Sequence, residues 1–163
     1  MVGPILVDST VLIRLLLGKT GADFAVNIFS RAEEGSEDLV MPSTAVLEAL
    51  SKAAVAAASA ATGASVAESI EKLASSKEVR TKALEAVEKL AAYLSQLSRT
   101  GRLTVYTVGM DDIAKAVELA KKHDLSLSDA ITLAVAEKLR IQKIATFSSR
   151  LRSMEGYTFM PSS

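Results

Sequence analysis

At 163 residues the chain has the length of one domain and can bury a sizeable core. Nineteen basic and nineteen acidic side chains cancel, so a polyanionic partner has to meet a local basic patch rather than a basic protein. With no cysteine and a single histidine, His123, disulfides, thiolate catalysis, Cys-based zinc sites and multi-histidine metal sites are excluded. Chemistry is left to carboxylates, hydroxyls, Lys and Arg. Hydrophobic residues make up 49% of the chain, yet no apolar run is expected to reach the length that crosses a bilayer, the alanine-rich Ala53 to Ala61 included. No basic region precedes an apolar one at the amino terminus, so no secretory signal is expected and a cytoplasmic protein is the default. One Asn and two Gln are few thermolabile residues, which suits a thermophilic source.

Ile5-Leu6-Val7, bounded by Gly3-Pro4 and Asp8-Ser9-Thr10, reads as a short strand buried on both faces. The apolar residues from Val11 to Leu17 then take helical spacing, which puts Asp8 at the carboxyl end of a strand with a helix behind it. Gly18 to Gly21 is a turn. A second helix is predicted over Ala22 to Glu34, with Phe24, Ile28 and Phe29 inward and Gly35-Ser36 ending it. Leu39-Val40-Met41 is a strand stopped by Pro42, and Ser43 or Thr44 caps a helix running through Glu48 to Thr62-Gly63.

Val66 to Arg99 is helical, either as two helices or as one interrupted near Ser75-Ser76. Ser65 with Glu68 has capping-box spacing, as does Ser75 with Glu78. The apolar positions Leu73, Val79, Leu84, Val87, Leu90, Leu94 and Leu97 recur at three- and four-residue steps and predict one buried face. Flanking alanines allow a second helix to come close. The stretch from about 53 to 100 is read as a helical insertion in a single domain spanning 1–163. Leu103 to Val108 alternates as a strand. Asp111-Asp112 open a helix through Lys122, its inner stripe predicted as Ile113, Ala116, Val117 and Ala120, with His123 as a charge contact at its end. A helix over Ala130 to Leu139, a strand over Lys143 to Phe147 and an edge strand in Tyr157 to Met160 follow. Short strands alternating with helices predict an α/β fold, a three-layer sandwich around a parallel sheet.

Three carboxylates fall at matching places in that scheme: Asp8 after the first strand, Glu48 in the helix after the second, and Asp129 at the start of a late helix. In such sheets ligands bind at the carboxyl edge, and clustered carboxylates suit hard cations such as Mg²⁺ or Mn²⁺. Each acid also has an ordinary reading. Asp8 has the position of a helix N-cap, Glu48 lies four residues before Lys52 as in a surface ion pair, and Asp129 stands at capping-box spacing from Ser126. Arg14, Lys52, Arg150 and Arg152 lie near these acids and are candidate phosphate contacts, or plain solvated charge. Aromatic residues amount to 4%, which offers few platforms for stacking bases.

Val7-Asp8-Ser9-Thr10, Pro42-Ser43-Thr44 through Glu48, Leu125-Ser126-Leu127-Ser128-Asp129-Ala130 and Ala145-Thr146-Phe147 together resemble a PIN domain, and are most similar to the VapC-type toxins of prokaryotic toxin–antitoxin pairs. The resemblance spans nearly the whole chain, though the helical segment is longer than expected. It implies a sheet of about five parallel strands and Mg²⁺- or Mn²⁺-dependent RNA cleavage. It implies Asp8, Glu48 and Asp129 as metal-binding catalytic acids, with Thr10 as a hydroxyl that helps order the site; Thr146 and Ser148 are read as further supporting residues. It also implies a homodimer inhibited by a cognate antitoxin. One departure matters: where the family usually has a further Asp after the Thr-x strand end, this chain has Ser148. Three acids suffice for one ion and leave a second in doubt. The competing reading is therefore a weakened or inactive PIN-like protein that only binds RNA or antitoxin. A phosphatase using Asp8 as nucleophile is disfavoured because an Asp-x-Asp motif would need an acid where Thr10 stands.

Overall fold

Side-chain alternation along very short strands decides the architecture. In the computed structural model, which describes residues 3–162, strand β1 (Ile5–Val7) turns Ile5 and Val7 to one face of the sheet and Leu6 to the other. All three are fully buried, so helices must cover both faces. Strand β2 (Leu39–Pro42) repeats the pattern, with Leu39 and Met41 on the first face and Val40 on the second. Strands β3 (Leu103–Tyr106), β4 (Lys143–Ala145) and β5 (Thr158–Met160) complete a sheet of order β3-β2-β1-β4-β5, every neighbouring pair parallel. Leu6 pairs with Val40 on one side and Ile144 on the other, an unbroken apolar row for the second helical layer.

That first face is covered by α1 (Ser9–Leu17), α2 (Ala22–Glu33), α3 (Ser43–Thr62) and α5 (Lys77–Arg99). The second is covered by α6 (Met110–His123), α7 (Leu127–Leu139) and the short α8 (Ser149–Arg152). The five-stranded, three-layer α/β expectation holds. From β1 the chain adds β2 and β3 to one side, then returns to the other side of β1 to lay down β4 and β5. The direction of winding therefore reverses beside β1, which is where ligand crevices form in sheets of this kind.

The long helical region resolves into α4 (Val66–Ser75) and α5, parted at Ser76. Ser65 and Glu68 form the expected capping box. At the break, however, Ser76 caps α5 by accepting the Val79 N–H, while the Ser75 hydroxyl turns back to the Glu71 carbonyl. The buried face of α5 is Ala83, Val87, Leu90, Leu94 and Leu97, and Leu84 is exposed. Its second half, with Leu90, Leu94 and Leu97, builds the main core and is no mere appendage. In α6 the inner stripe is Asp112, Ala116 and Leu119, whereas Ile113 and Val117 are exposed. The expected stripe was one position out of phase because Asp112 itself is buried. It accepts from the Gly109 N–H at 2.9 Å, the Tyr106 hydroxyl at 3.0 Å and Lys138 Nζ at 2.7 Å, which fastens the β3–α6 corner to α7.

One expectation on membranes needs correcting: α3, at 20 residues, is long and apolar enough to cross one. Its alanines serve another purpose here. Ala45, Ala49, Ala53 and Ala58 are buried where α3 meets α1, α4 and α5, and small side chains let those backbones approach. Ser69 on α4 is fully buried, and its hydroxyl has no hydrogen-bond partner. Ser69→Ala is expected to stabilise the protein by about 1 kcal/mol by removing that unsatisfied group and improving helix propensity. Calorimetry would register this as a Tm higher by about 2–4 °C; a lower Tm would mean that the hydroxyl has a partner after all.

Candidate active site

Asp8 leaves β1 in extended conformation and caps α1, its Oδ1 accepting the N–H of Thr10 at 2.9 Å and of Val11 at 3.4 Å. The Thr10 hydroxyl donates to the same oxygen, and the Thr146 hydroxyl donates to Oδ2. Asp8 is only 3% exposed and Thr146 is fully buried. Burial pushes the Asp8 carboxyl up to about 6, against the downward pull of the hydroxyl and N–H donors. The N-cap role is thus real and leaves the acid held at the carboxyl end of β1, beside the reversal of the sheet.

Two hydroxyls connect this corner to β4. Thr10 Oγ1 also accepts the Phe147 N–H at 2.8 Å, and Thr146 Oγ1 accepts the Ser148 N–H at 2.9 Å. Ser148 in turn donates its hydroxyl to Asp129 Oδ2 at 2.9 Å while capping α8 through the Leu151 N–H at 3.2 Å. Asp8 and Asp129, 121 positions apart in the chain, are therefore joined through Thr146 and Ser148. Phe147 is pinned between them: its ring packs edge-on against Phe24 at 5.9 Å and beneath the Arg14 guanidinium at 4.0 Å. Gly21 permits that packing, since a Cβ there would stand 2.6 Å from the Phe147 ring.

Asp129 does not complete a capping box. Ser126 caps α7 by accepting the Asp129 N–H at 3.1 Å, but the Asp129 carboxylate turns to Ser148. Glu48, in the second turn of α3, is held at both oxygens: Lys52 Nζ lies 2.7 Å from Oε1, and the Ser128 hydroxyl donates to Oε2 at 2.6 Å. Burial raises the Glu48 carboxyl, but bonds from Lys52, Ser128 and Ser9 outweigh it and leave it below its ordinary 4.5. The ordinary Glu48–Lys52 pair exists, and the Ser128 bond shows that it sits against α7 rather than on an open surface. Ser9 and Ser128 were missed in the sequence. Their only signal is adjacency, Ser9 to Asp8 and Ser128 to Asp129, and a serine beside an acid is too common to single out.

The candidate phosphate contacts fare unevenly. Arg14 donates to the Thr20 carbonyl and lies on Phe147. Arg150 donates to the Asp124 carbonyl at 3.0 Å. Arg152 ties the Thr146 and Pro161 carbonyls, at 3.1 and 2.6 Å, and so secures the strand end that carries Ser148. These arginines are engaged within the chain, and Lys52 is paired with Glu48. His123 closes α6 as expected, half-buried.

Oxygen donors alone make up the cluster: three carboxylates and the hydroxyls of Thr10, Thr146, Ser128 and Ser148. That chemistry fits a hard divalent cation, and Glu48 is already paired with the Lys52 ammonium. Among the described residues no three acidic or imidazole groups stand close enough to enclose an ion as they are. Each carboxylate instead faces donors of the protein itself.

The parallel, three-layer α/β sheet brings Asp8 to the carboxyl edge of β1, beside the reversal of strand order, with Asp129 linked to it through Ser148 and Thr146 and with Glu48 held on Ser128. The chain belongs to the PIN-domain family, whose model matches residues 5–157. Among solved structures it is similar in fold to VapC20 of Mycobacterium tuberculosis, a sarcin-ricin-loop-cleaving toxin, with a TM-score of 0.59 and 18% identity over 94% of this chain and 96% of that one. It is likewise similar to a chain of a toxin–antitoxin complex from Klebsiella pneumoniae, with a TM-score of 0.51 and 18% identity over 94% and 95%. No curated protein matches it by sequence.

Proposed function

We propose that the chain is a Mg²⁺- or Mn²⁺-dependent endoribonuclease and the toxin half of a toxin–antitoxin pair. The observation that carries this reading is the hydrogen-bonded network joining Asp8, Thr146, Ser148 and Asp129, with Glu48 docked on Ser128 beside it. Asp8, Glu48 and Asp129 would hold the cation. When bound, the cation supplies Lewis acidity toward a phosphoryl oxygen and a water of lowered pKa. Thr10 and Thr146 orient Asp8, Ser148 orients Asp129, and Ser128 orients Glu48. Preorganised charge of this kind suits hydrolysis of a phosphodiester, where negative charge builds on the transferring group.

An apolar trough of about 1000 Å³ runs between α1, α3 and α4, lined by Ile13, Leu17, Val55 and Ile70, with Lys52, the partner of Glu48, also in its lining. It suits an amphipathic segment, and we assign it to the antitoxin. A homodimer and a cytoplasmic location belong to the same reading. A second reading, binding without cleavage, is favoured by one observation: the Ser148 hydroxyl is already engaged with Asp129 and the Leu151 N–H. Incubating the protein with structured RNA in Mg²⁺, Mn²⁺ or EDTA separates the two. Cation-dependent cleavage that disappears in Asp129→Asn supports the nuclease. RNA retained on the protein but uncut under every condition supports the binding protein.

A further inference from the structure

A hollow of about 630 Å³ opens beside Thr10, whose hydroxyl donates to Asp8, and is lined by Arg14, Lys19 and Lys52 with no acidic side chain. We infer that this hollow is a subsite for an RNA phosphate flanking the scissile one, and that Lys52 divides its time between Glu48 and that phosphate, so that cation and RNA bind cooperatively. The inference rests on the carboxylate centre being a cation site.

The three charges lining the hollow differ in freedom. Arg14 is fixed by the Thr20 carbonyl and the Phe147 ring, and gives the hollow a permanent positive wall. Lys52 is held only through Glu48 Oε1, on a side chain that is 56% exposed. A pair of this kind, one helical turn apart, is weak, so it opens readily. With a cation held at Glu48 the balance would reverse, because the Lys52 ammonium would then face a like charge across a few ångströms of protein surface. The ammonium must then leave, and the hollow it already lines is the space beside it. A phosphate there receives a lysine that the acid no longer needs, and each ligand favours the other by the same factor, as linkage requires.

The test uses the full chain and a phosphorothioate RNA octamer that resists cleavage. Mn²⁺ affinity is read by calorimetry, and octamer affinity by fluorescence anisotropy with and without saturating Mn²⁺. In the wild type, Mn²⁺ is expected to tighten octamer binding about 3- to 10-fold. In Lys52→Gln, Mn²⁺ alone is expected to bind about 3-fold more tightly, because its competitor at Glu48 is gone. The octamer should bind more weakly, and its dependence on Mn²⁺ should shrink toward none. Lys19→Gln should weaken the octamer while leaving Mn²⁺ affinity unchanged, which separates the subsite from the acid. Lys52→Gln with wild-type affinities for both ligands, or with weaker Mn²⁺ binding, overturns the inference alone. A wild type that binds no Mn²⁺ and cuts no RNA overturns the cation centre as well.

Discussion

Asp8→Asn is expected to lower RNA cleavage by 100-fold or more, roughly 3 kcal/mol of lost transition-state stabilisation, while leaving the apo protein more stable at neutral pH. Asn is as good an N-cap as Asp, so the Thr10 and Val11 N–H groups keep their acceptor. The Thr146 hydroxyl, which in the wild type donates to Oδ2 and accepts the Ser148 N–H, has to turn its hydrogen away to accept from the new amide, a cost that offsets part of the gain. What disappears is a buried negative charge. The Asp8 carboxyl titrates near 6 when folded, against an ordinary 3.8, because burial disfavours its ionised form. At about 1.4 kcal/mol per pH unit that difference is on the order of 3 kcal/mol.

The sign follows from linkage. A group whose folded pKa is raised binds its proton more tightly in the native state, so its contribution to stability is whole below pH 3.8 and is lost as pH rises through about 6. Denaturation of wild type and Asp8→Asn in EDTA at pH 4, 5, 6 and 7.5 should therefore give curves that lie close at pH 4 and separate toward neutrality, the variant becoming the more stable. Divalent cation added at pH 7.5 should raise wild-type stability and leave the variant nearly unchanged. A variant that unfolds more easily at every pH would show that the charge at Asp8 is a structural asset rather than a cost.

Much of this was legible beforehand, for physical reasons that can be named. Strand β1 announced itself because three aliphatic residues between Pro4 and Asp8 leave few alternatives to a doubly buried strand, and Asp8 followed from its place after it. Leu84 and Val117 were assigned inward because apolar spacing marks a helical face without fixing its phase. Ala83 beats Leu84 in α5 because close packing beside alanine-rich α3 favours the smaller side chain. Asp112 was missed because its partners, Tyr106, Gly109 and Lys138, meet only once β3 and α7 are in place. The same holds for Ser128: its bond to Glu48 spans 80 positions, and nothing local requires it. The three acids were singled out by their position relative to predicted strand ends; the donors that hold them depend on tertiary contact and could not be.

Ser148→Asp is expected to destabilise the apo protein and to tighten its hold on divalent cations. Ser148 Oγ stands 2.9 Å from Asp129 Oδ2 as a donor, and a carboxylate at the same place brings one anion against another. Repulsion at that range reaches roughly 4 kcal/mol at a partly exposed site, and it raises the pKa of one of the two acids. The N-cap of α8 survives, since Asp accepts the Leu151 N–H as well as Ser does, so the loss is electrostatic and not a fault of the fold. In EDTA at pH 7.5 the variant should therefore melt below wild type, and lowering the pH toward 5 should close the gap by protonating one member of the pair. Mn²⁺ should reverse the order: a fourth carboxylate is expected to improve affinity by about tenfold or more, and the rise in Tm on adding the ion should exceed that of wild type. The number of ions bound, read in the same titration, then tells whether the chain's serine limits it to one. Equal melting of the two proteins in EDTA together with equal Mn²⁺ affinity would mean that residue 148 does not face the acids, and the network from Asp8 to Asp129 would have to be redrawn.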